Sequence, residues 1–142
     1  MKKLLVALML AVQCLPATAC FIEQFPVIEN KIRQFYENEV FYTRKDPNYK
    51  ITDICTPEFI DRLLKANDFD TETYATWLLR SGFQDGQDVP SMVLEVIPGS
   101  NNTAVVKWSD MGVEGSTTLS LVDCDGTWKI DNATVPEGFN PL

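Results

Sequence analysis

Residues 92–132 of this chain read MVLEVIPGSNNTAVVKWSDMGVEGSTTLSLVDCDGTWKIDN. Apolar residues recur at every second position in four short runs, which places them on one face of pleated strands. Turn residues separate the runs, and Asp125-Gly126 is a strong hairpin signal because both residues tolerate positive φ. The pattern predicts an antiparallel meander with strands over 92–97, 103–109, 115–123 and 127–131. The residues expected to face the core are Met92, Leu94, Val96, Ala104, Val106, Trp108, Leu119, Leu121, Trp128 and Ile130.

Upstream of the meander, the apolar residues recur at spacings of three and four, as on one side of an amphipathic helix. A first helix is predicted from Val27 to about Phe41, with Pro26 at its entry. A polar linker over 46–55 follows. Thr56-Pro57-Glu58 then combines a capping hydroxyl, a proline and an acid, and predicts a second, short helix. The residues expected to face inward from these two helices are Ile28, Ile32, Phe35, Tyr36, Val40, Phe59, Ile60, Leu63 and Leu64.

A third helix is predicted from Asp70 to Gly82, with Tyr74 and Trp77 on its inner side. Helices followed by antiparallel strands are typical of an α+β domain. We therefore expect one α+β domain over residues 20–142, in which N-terminal helices pack on one face of a curved four-stranded antiparallel meander. A pocket is expected at the mouth between the sheet and the helices.

Composition excludes several classes of function. The chain has 12 Lys and Arg against 20 Asp and Glu, which gives a formal net charge of −8. Nucleic acid is therefore an unsuitable partner, because phosphate binding needs a clustered basic face. The chain has no histidine, which removes Ser-His-Asp and Cys-His catalysis and every imidazole metal site. We expect neither a metal nor a cofactor.

The first nineteen residues have the features of a secretory signal peptide. Met1-Lys2-Lys3 is a charged start, the stretch 4–12 is apolar, and Ala17-Thr18-Ala19 supplies an A-x-A cleavage site. The apolar run is too short to span a bilayer, and no second run of membrane length follows. The protein is thus expected to be exported, to the periplasm or beyond. Cys20 keeps a second interpretation open, because Ala17-Thr18-Ala19-Cys20 is also a permissive lipobox whose cysteine would carry a lipid anchor.

Cysteines occur at positions 14, 20, 55 and 124, and no two of them form a CxxC motif. That spacing excludes a zinc ribbon and a thioredoxin-like motif. Export permits a disulfide between Cys55 and Cys124, which would join the helical layer to the sheet. Two buried free thiols, or a bridge to Cys20, are the alternatives.

Four stretches of the chain carry a resemblance to a known family. They are 35–42 (FYENEVFY), 76–79 (TWLL), 106–112 (VKWSDMG) and 121–131 (LVDCDGTWKID). Together they resemble small exported bacterial proteins of a domain-of-unknown-function family, in the cystatin-like, nuclear-transport-factor-like α+β cone superfamily. The resemblance implies a fold and an exported address, and it implies no catalytic residue.

Aromatic residues suggest what the mouth of the cone could hold. Pockets for small ligands are mostly apolar, with a few polar tips, and tyrosine and tryptophan offer both. The favoured hypothesis is a non-catalytic binding module for a small apolar ligand or an envelope protein. The pocket candidates are Tyr42, Tyr49, Tyr74, Trp77 and Phe83.

Two alternatives remain open. The first is an isomerase- or cyclase-like enzyme, in which a buried acid acts beside a tyrosine hydroxyl. The second is a structural domain that dimerises through the outer sheet face of Thr118, Ser120 and Val122. The acids considered for the first alternative are Asp85, Asp88, Asp110 and Glu114.

Overall fold

The computed structural model describes residues 17–67, 74–80 and 88–134. Three helices come first: α1 (Ala17–Phe35), the four-residue α2 (Ile51–Ile54) and α3 (Pro57–Lys65). A π-helical turn (Tyr36–Val40) continues α1, and a 3₁₀ turn (Thr76–Leu79) precedes the sheet. Four strands follow: β1 (Met92–Pro98), β2 (Thr103–Asp110), β3 (Val113–Cys124) and β4 (Thr127–Thr134).

The strands form one antiparallel sheet in the order β1-β2-β3-β4, which confirms the predicted meander. The turns have the expected chemistry, because each hairpin holds residues with positive φ. Asp125 and Gly126 have φ values of 54° and 89°, and Met111 and Gly112 have 50° and 82°. Such turns match the right-handed twist of the flanking strands.

The predicted face of β1 is wrong over its first half. Met92 and Leu94 are 48% and 45% exposed, whereas Val93 packs against the core. The cause is a bulge between Val93 and Glu95 in the pairing with β2. One extra residue reverses the side-chain alternation, so that Val96, beyond the bulge, faces the core as expected.

The predicted start of α1 is also wrong, because the helix begins at Ala17 and Pro26 lies inside it. An interior proline removes one backbone hydrogen bond and costs about 3 kcal/mol. Packing offsets this cost, since Phe21 is 1% exposed and its ring lies 5.1 Å from that of Trp128. Residues 1–16 of the predicted signal peptide lie outside the described residues, so export remains a prediction.

The other helices match the sequence in part. α3 begins as predicted, with Thr56 Oγ1 accepting a hydrogen bond from Phe59 N. The segment 46–55, predicted as a polar linker without a helix, contains α2, whose Ile51 and Ile54 are buried. Of the predicted third helix, residues 74–80 are described, and Thr76–Leu79 within them form the 3₁₀ turn rather than an α-helix.

The core lies between α1 and the inner face of the sheet. Ile32 and Phe35 of the helix are fully buried with Val106, Leu119 and Ile130 of the strands. The helices therefore cover one face of the sheet, as predicted for an α+β fold. Trp108 and Trp128 also belong to the core, at 3% and 5% exposure.

Candidate functional site

Four titratable side chains from separate segments form one cluster, which we call the Glu39 cluster: Glu39, Tyr49, Cys55 and Tyr74. The negative charge of Glu39 acts on each of the other three groups. Glu39 comes from the π-helical turn, Tyr49 from the loop before α2, Cys55 from the residue after α2, and Tyr74 from the segment before the 3₁₀ turn. The fold thus brings together two of the predicted pocket tyrosines.

The π-helical turn positions Glu39. Phe41 N donates to Tyr36 O at 2.8 Å, five residues back, so this turn holds one residue more than an α-helical turn. The wider turn keeps both Tyr36 and Val40 buried and leaves Glu39 partly buried between them. An acid is thereby held beside the core, where its charged form is poorly solvated.

Burial sets the protonation of the cluster. It raises the pKa of the Glu39 carboxyl, while the interaction with Tyr49 opposes that rise. Burial also raises the pKa of Tyr49, Tyr74 and Cys55, and the nearby Glu39 charge raises all three further. Both phenols and the thiol are therefore protonated at neutral pH, and Glu39 is the member that changes charge in the acid range.

The Tyr49 hydroxyl is shielded from solvent. It makes no hydrogen bond of acceptable geometry within the described part of the chain. Even so, it faces Glu39 closely enough for each group to shift the pKa of the other. A small side-chain adjustment would let the phenol donate to the carboxylate, and buried hydroxyls usually find such a partner. Glu39 can supply this acceptor.

An open groove beside the cluster has a volume of about 330 Å³. We call it the helix groove, because it lies between α2 and α3 next to Cys55. Small-ligand pockets begin at about 300 Å³ and are lined mainly by apolar side chains. The lining residues here are Thr52, Cys55, Pro57, Ile60, Asp61 and Leu64.

We expect Cys55 to react with the thiol reagent DTNB at least about tenfold more slowly than Cys124. Cys55 is 0% exposed and its pKa is raised, so its reactive thiolate is both rare and shielded, whereas Cys124 is partly exposed. The rates can be compared at about pH 8 in a Cys20→Ser background. Single Cys55→Ser and Cys124→Ser variants assign each phase. Equal rates would contradict the burial of Cys55.

The proposed disulfide between Cys55 and Cys124 does not form in this structure. All three cysteines of the described residues, including a partly buried Cys20, are free thiols. Cys55 forms a parallel bridge with Ile130 on the outer edge of β4, whereas Cys124 lies in β3 on the other side. Two strand spacings amount to about 10 Å, and disulfides need Cα atoms within about 7 Å. β4 therefore separates the two thiols.

A second open groove lies between the π-helical turn and β1, and we call it the rim groove. Its volume is about 340 Å³. Tyr42, a predicted pocket residue, is 56% exposed and has a φ of 54°, while its neighbours Phe41 and Thr43 line the groove. The backbone turn at Tyr42 thus places the side chains before and after it, rather than its own, against this surface.

Apart from Asp110, the other residues considered from the sequence lie outside the described ranges, are exposed to solvent, or are on the outer face of the sheet. The Trp77 side chain, Phe83 and Asp85 lie outside the described residues. Asp88 and Glu114 are exposed. Thr118, Ser120 and Val122 are partly buried on the sheet face away from the helices.

Asp110 is buried, unlike Asp88 and Glu114, the other two described acids among those considered from the sequence. It is 0% exposed, and it accepts two hydrogen bonds from Arg80 and one from Ser91. Because these donors hold its carboxylate, Asp110 joins the 3₁₀ turn to the end of β2.

Within the described ranges, no three Asp, Glu, Cys or His residues are grouped so as to hold a metal ion. Nor is any described helix long and apolar enough to cross a membrane.

The sequence interpretation missed Glu39. It treated this residue as part of the polar side of α1. Its spacing of four from Phe35 and seven from Ile32 was an available signal, because that spacing places an acid within the apolar stripe. Cys55 was considered as a disulfide partner or a buried free thiol, and not as part of a site.

Among solved structures, the fold is similar to the crystal structure of a protein of unknown function from Bacteroides thetaiotaomicron VPI-5482, with a TM-score of 0.52. The two sequences are 18% identical, and the match covers 84% of this chain and 99% of the other. At this identity the likeness shows a shared fold alone. No protein-family model and no curated protein matches the sequence. The likeness fits a domain of unknown function, and the cystatin-like assignment remains a prediction.

Proposed function

We propose that this chain is an exported member of the cystatin-like cone superfamily and acts as a non-catalytic binding module for a small apolar or amphipathic ligand. The helix groove is the proposed binding site. The observation that supports this role is an open, mostly apolar cavity of about 330 Å³ whose floor, at Cys55, adjoins a cluster of buried polar groups. An apolar surface with a few polar groups at one end is the usual composition of such sites.

The two parts of the site have different roles in this proposal. Ile60, Leu64 and Pro57 contact the apolar body of the ligand and remove it from water. Thr52 and Asp61, the polar side chains among the lining residues, supply hydrogen-bonding groups for the polar end of the ligand. A ligand with a carbonyl or hydroxyl at one end suits this arrangement, because burying its apolar part gives affinity and its polar tip fixes orientation.

The binding proposal is tested with the neutral fluorescent probe N-phenyl-1-naphthylamine. We expect saturable binding to the purified protein, weakened at least about tenfold by Leu64→Glu, which loses apolar contact and adds a charge to the groove. Leu94→Glu is the matched control, because Leu94 is a partly exposed leucine on β1, away from the groove. Its affinity should equal that of the unaltered protein. Absence of saturable binding, or equal losses in both variants, would refute the proposal.

Export has a separate test. The intact mass of the protein isolated from its host distinguishes a chain cleaved before Cys20 from one that carries diacylglycerol on that residue. A mass equal to the full sequence would contradict both forms of processing.

A second candidate function is a carboxylate/tyrosine enzyme of the isomerase or cyclase type. The specific observation in its favour is the Glu39 carboxyl, with its raised pKa, beside the Tyr49 phenol. A carboxylate of raised pKa is a stronger base, and a protonated phenol can donate to an enolate oxygen as charge develops there. In this role Glu39 would remove a proton next to a carbonyl, and Tyr49 would stabilise the resulting oxyanion.

The raised pKa of Glu39 gives a pH-dependent stability. The folded protein binds the Glu39 proton more tightly than the unfolded chain, whose glutamate titrates near the ordinary value of 4.5. This contribution to stability is therefore complete below pH 4.5 and is lost as the pH rises through the folded-state pKa. We expect Glu39→Gln to remove this loss, so that the variant gains stability relative to the unaltered protein as the pH rises.

Urea unfolding between about pH 4 and pH 8 measures this effect. Glu114→Gln is the matched control, since the side chain of Glu114 is exposed on β3. The stability difference between the unaltered protein and Glu114→Gln should stay constant over this range. A constant difference for Glu39→Gln as well would show that Glu39 is not held in a poorly solvated site, and it would remove the basis of the enzyme candidate.

A further inference from the structure

The rim groove contains two arginines, Arg33 and Arg44, in a protein whose net charge is −8. Arg33 comes from the last turn of α1, and Arg44 from the loop after the π-helical turn. Both side chains line the same cavity of about 340 Å³. A guanidinium presents five N–H donors in a planar fork that matches a carboxylate.

Each arginine has a glutamate partner, but neither pair is tight. Arg33 Nη2 lies 3.4 Å from Glu29, and Arg44 Nη1 lies 3.7 Å from Glu37. All four side chains are at least 36% exposed. Exposed ion pairs contribute little stability, so a ligand can replace these partners without a large loss.

Arg33 is held in place independently of its ion pair. Its Nη1 donates to the carbonyl oxygen of Val93 at 3.3 Å, on the edge strand β1. This hydrogen bond joins the guanidinium to the sheet. Arg33 is therefore a donor anchored to the sheet, and Arg44, whose side chain is 64% exposed, is a donor that reaches solvent.

One part of the groove lining, which we call its floor, is apolar. Phe41 is 8% exposed, and the Arg80 guanidinium lies 5.3 Å from the centre of its ring. Met92 and Val93 from β1 complete the floor, and Met92 is 48% exposed at a position where most strand residues of its type would be buried. Guanidinium donors above an apolar floor suit a ligand with an acid group on an apolar body.

We propose that the rim groove binds a small organic carboxylate that carries an aromatic or aliphatic body. The carboxylate contacts Arg33 and Arg44 and replaces Glu37 as the partner of Arg44. The body lies against Phe41 and Met92. This site is distinct from the helix groove and does not depend on the function proposed for it.

The probe is 4-phenylbutyrate, with 4-phenylbutanamide as its uncharged counterpart. Titration of the ¹⁵N-labelled protein, followed by NMR, should show saturable shifts at the amides of Thr43, Arg44 and Val93. The amide probe should bind at least about tenfold more weakly, because it lacks the charge that the guanidiniums recognise. Raising the salt from about 50 mM to 500 mM should weaken binding of the acid and leave that of the amide unchanged.

Arg44→Gln tests the residue assignment, and Lys45→Gln is the matched control. Lys45 is the next residue, is exposed and is absent from the groove lining, so both variants lose one positive charge from the same loop. We expect at least about fivefold weaker binding of 4-phenylbutyrate to Arg44→Gln and a change under about twofold for Lys45→Gln. No saturable binding, equal affinity for the acid and the amide, shifts confined to another surface, or equal losses in the two variants would each overturn the proposal.

Discussion

Replacing Trp108 with alanine is expected to lower the free energy of unfolding by about 3–5 kcal/mol, as for other buried tryptophans. Trp108 is 3% exposed within the core. Its indole N–H donates to Thr117 Oγ1 at 3.0 Å, and Thr117 donates in turn to Leu79 O at 3.3 Å. The substitution leaves a cavity and also removes the first donor of this buried chain. Urea unfolding followed by circular dichroism measures the loss.

Gly115 allows a direct test of how the Trp108 indole is packed. It is the direct cross-strand partner of Trp108, and the indole lies over it. A Cβ built on Gly115 would lie 2.7 Å from Trp108 Cζ2, which is too close for non-bonded carbon atoms. Gly115→Ala should therefore destabilise the protein by about 1–3 kcal/mol through overpacking.

In the Trp108→Ala background the same glycine substitution should cost almost nothing, because the vacated space accepts the new methyl group. The double-mutant cycle then gives a coupling energy of about 1–3 kcal/mol between the two positions. If Gly115→Ala cost the same in both backgrounds, the indole would not lie over the glycine. The pairing register of β2 and β3 at this point would then be wrong.

The sheet could be predicted because each hairpin carries its own local signal. Alternation and positive-φ turn residues act within a few residues of one another, and no distant part of the chain is needed to interpret them. The bulge after Val93 shows the limit of this approach. The run Met92–Ile97 is apolar on both sides of the bulge, so alternation alone could not reveal where its phase reverses.

The start of α1 could not be placed from local rules, because distant packing overrides them. Proline at residue 26 is typical of a helix entry. The helix continues through Pro26 because Phe21, which lies five residues before the proline, packs against Trp128 in β4. That contact joins residues 107 positions apart, which no local pattern records. The Glu39 cluster was missed for a related reason. A π-helical turn has no sequence signature, and the four residues of the cluster come from four separate segments of the chain.

Asp110 illustrates the same difficulty. In the sequence it was one of four acids considered for the enzyme alternative, with nothing to set it apart from the others, and in the structure it is fully buried. Its partner Arg80 is 30 residues earlier, at the end of the 3₁₀ turn. Composition could not indicate that this acid and this base form a buried pair. We therefore expect the Arg80–Asp110 pair to contribute strongly to the stability of the fold.

Replacing Arg80 with alanine is expected to lower the free energy of unfolding by about 3–5 kcal/mol, because it leaves a buried charge without its cation. Arg80 Nε and Nη2 donate to the two oxygens of Asp110 at 2.8 and 2.6 Å, while Nη1 donates to Val40 O at 3.2 Å. The guanidinium therefore joins the 3₁₀ turn, the end of β2 and the π-helical turn. Thermal and urea unfolding measure the loss.

Arg44→Ala is the control, because Arg44 pairs with Glu37 on the surface, and such pairs contribute about 0–1 kcal/mol. A double variant, Arg80→Met with Asp110→Leu, identifies the cause. Replacing both members of a buried ion pair with apolar residues of similar size is often nearly neutral, so this variant should recover most of the stability lost in Arg80→Ala. If it remained equally unstable, the loss would come from the hydrogen bonds to Val40 and from Ser91, since both are absent from the double variant.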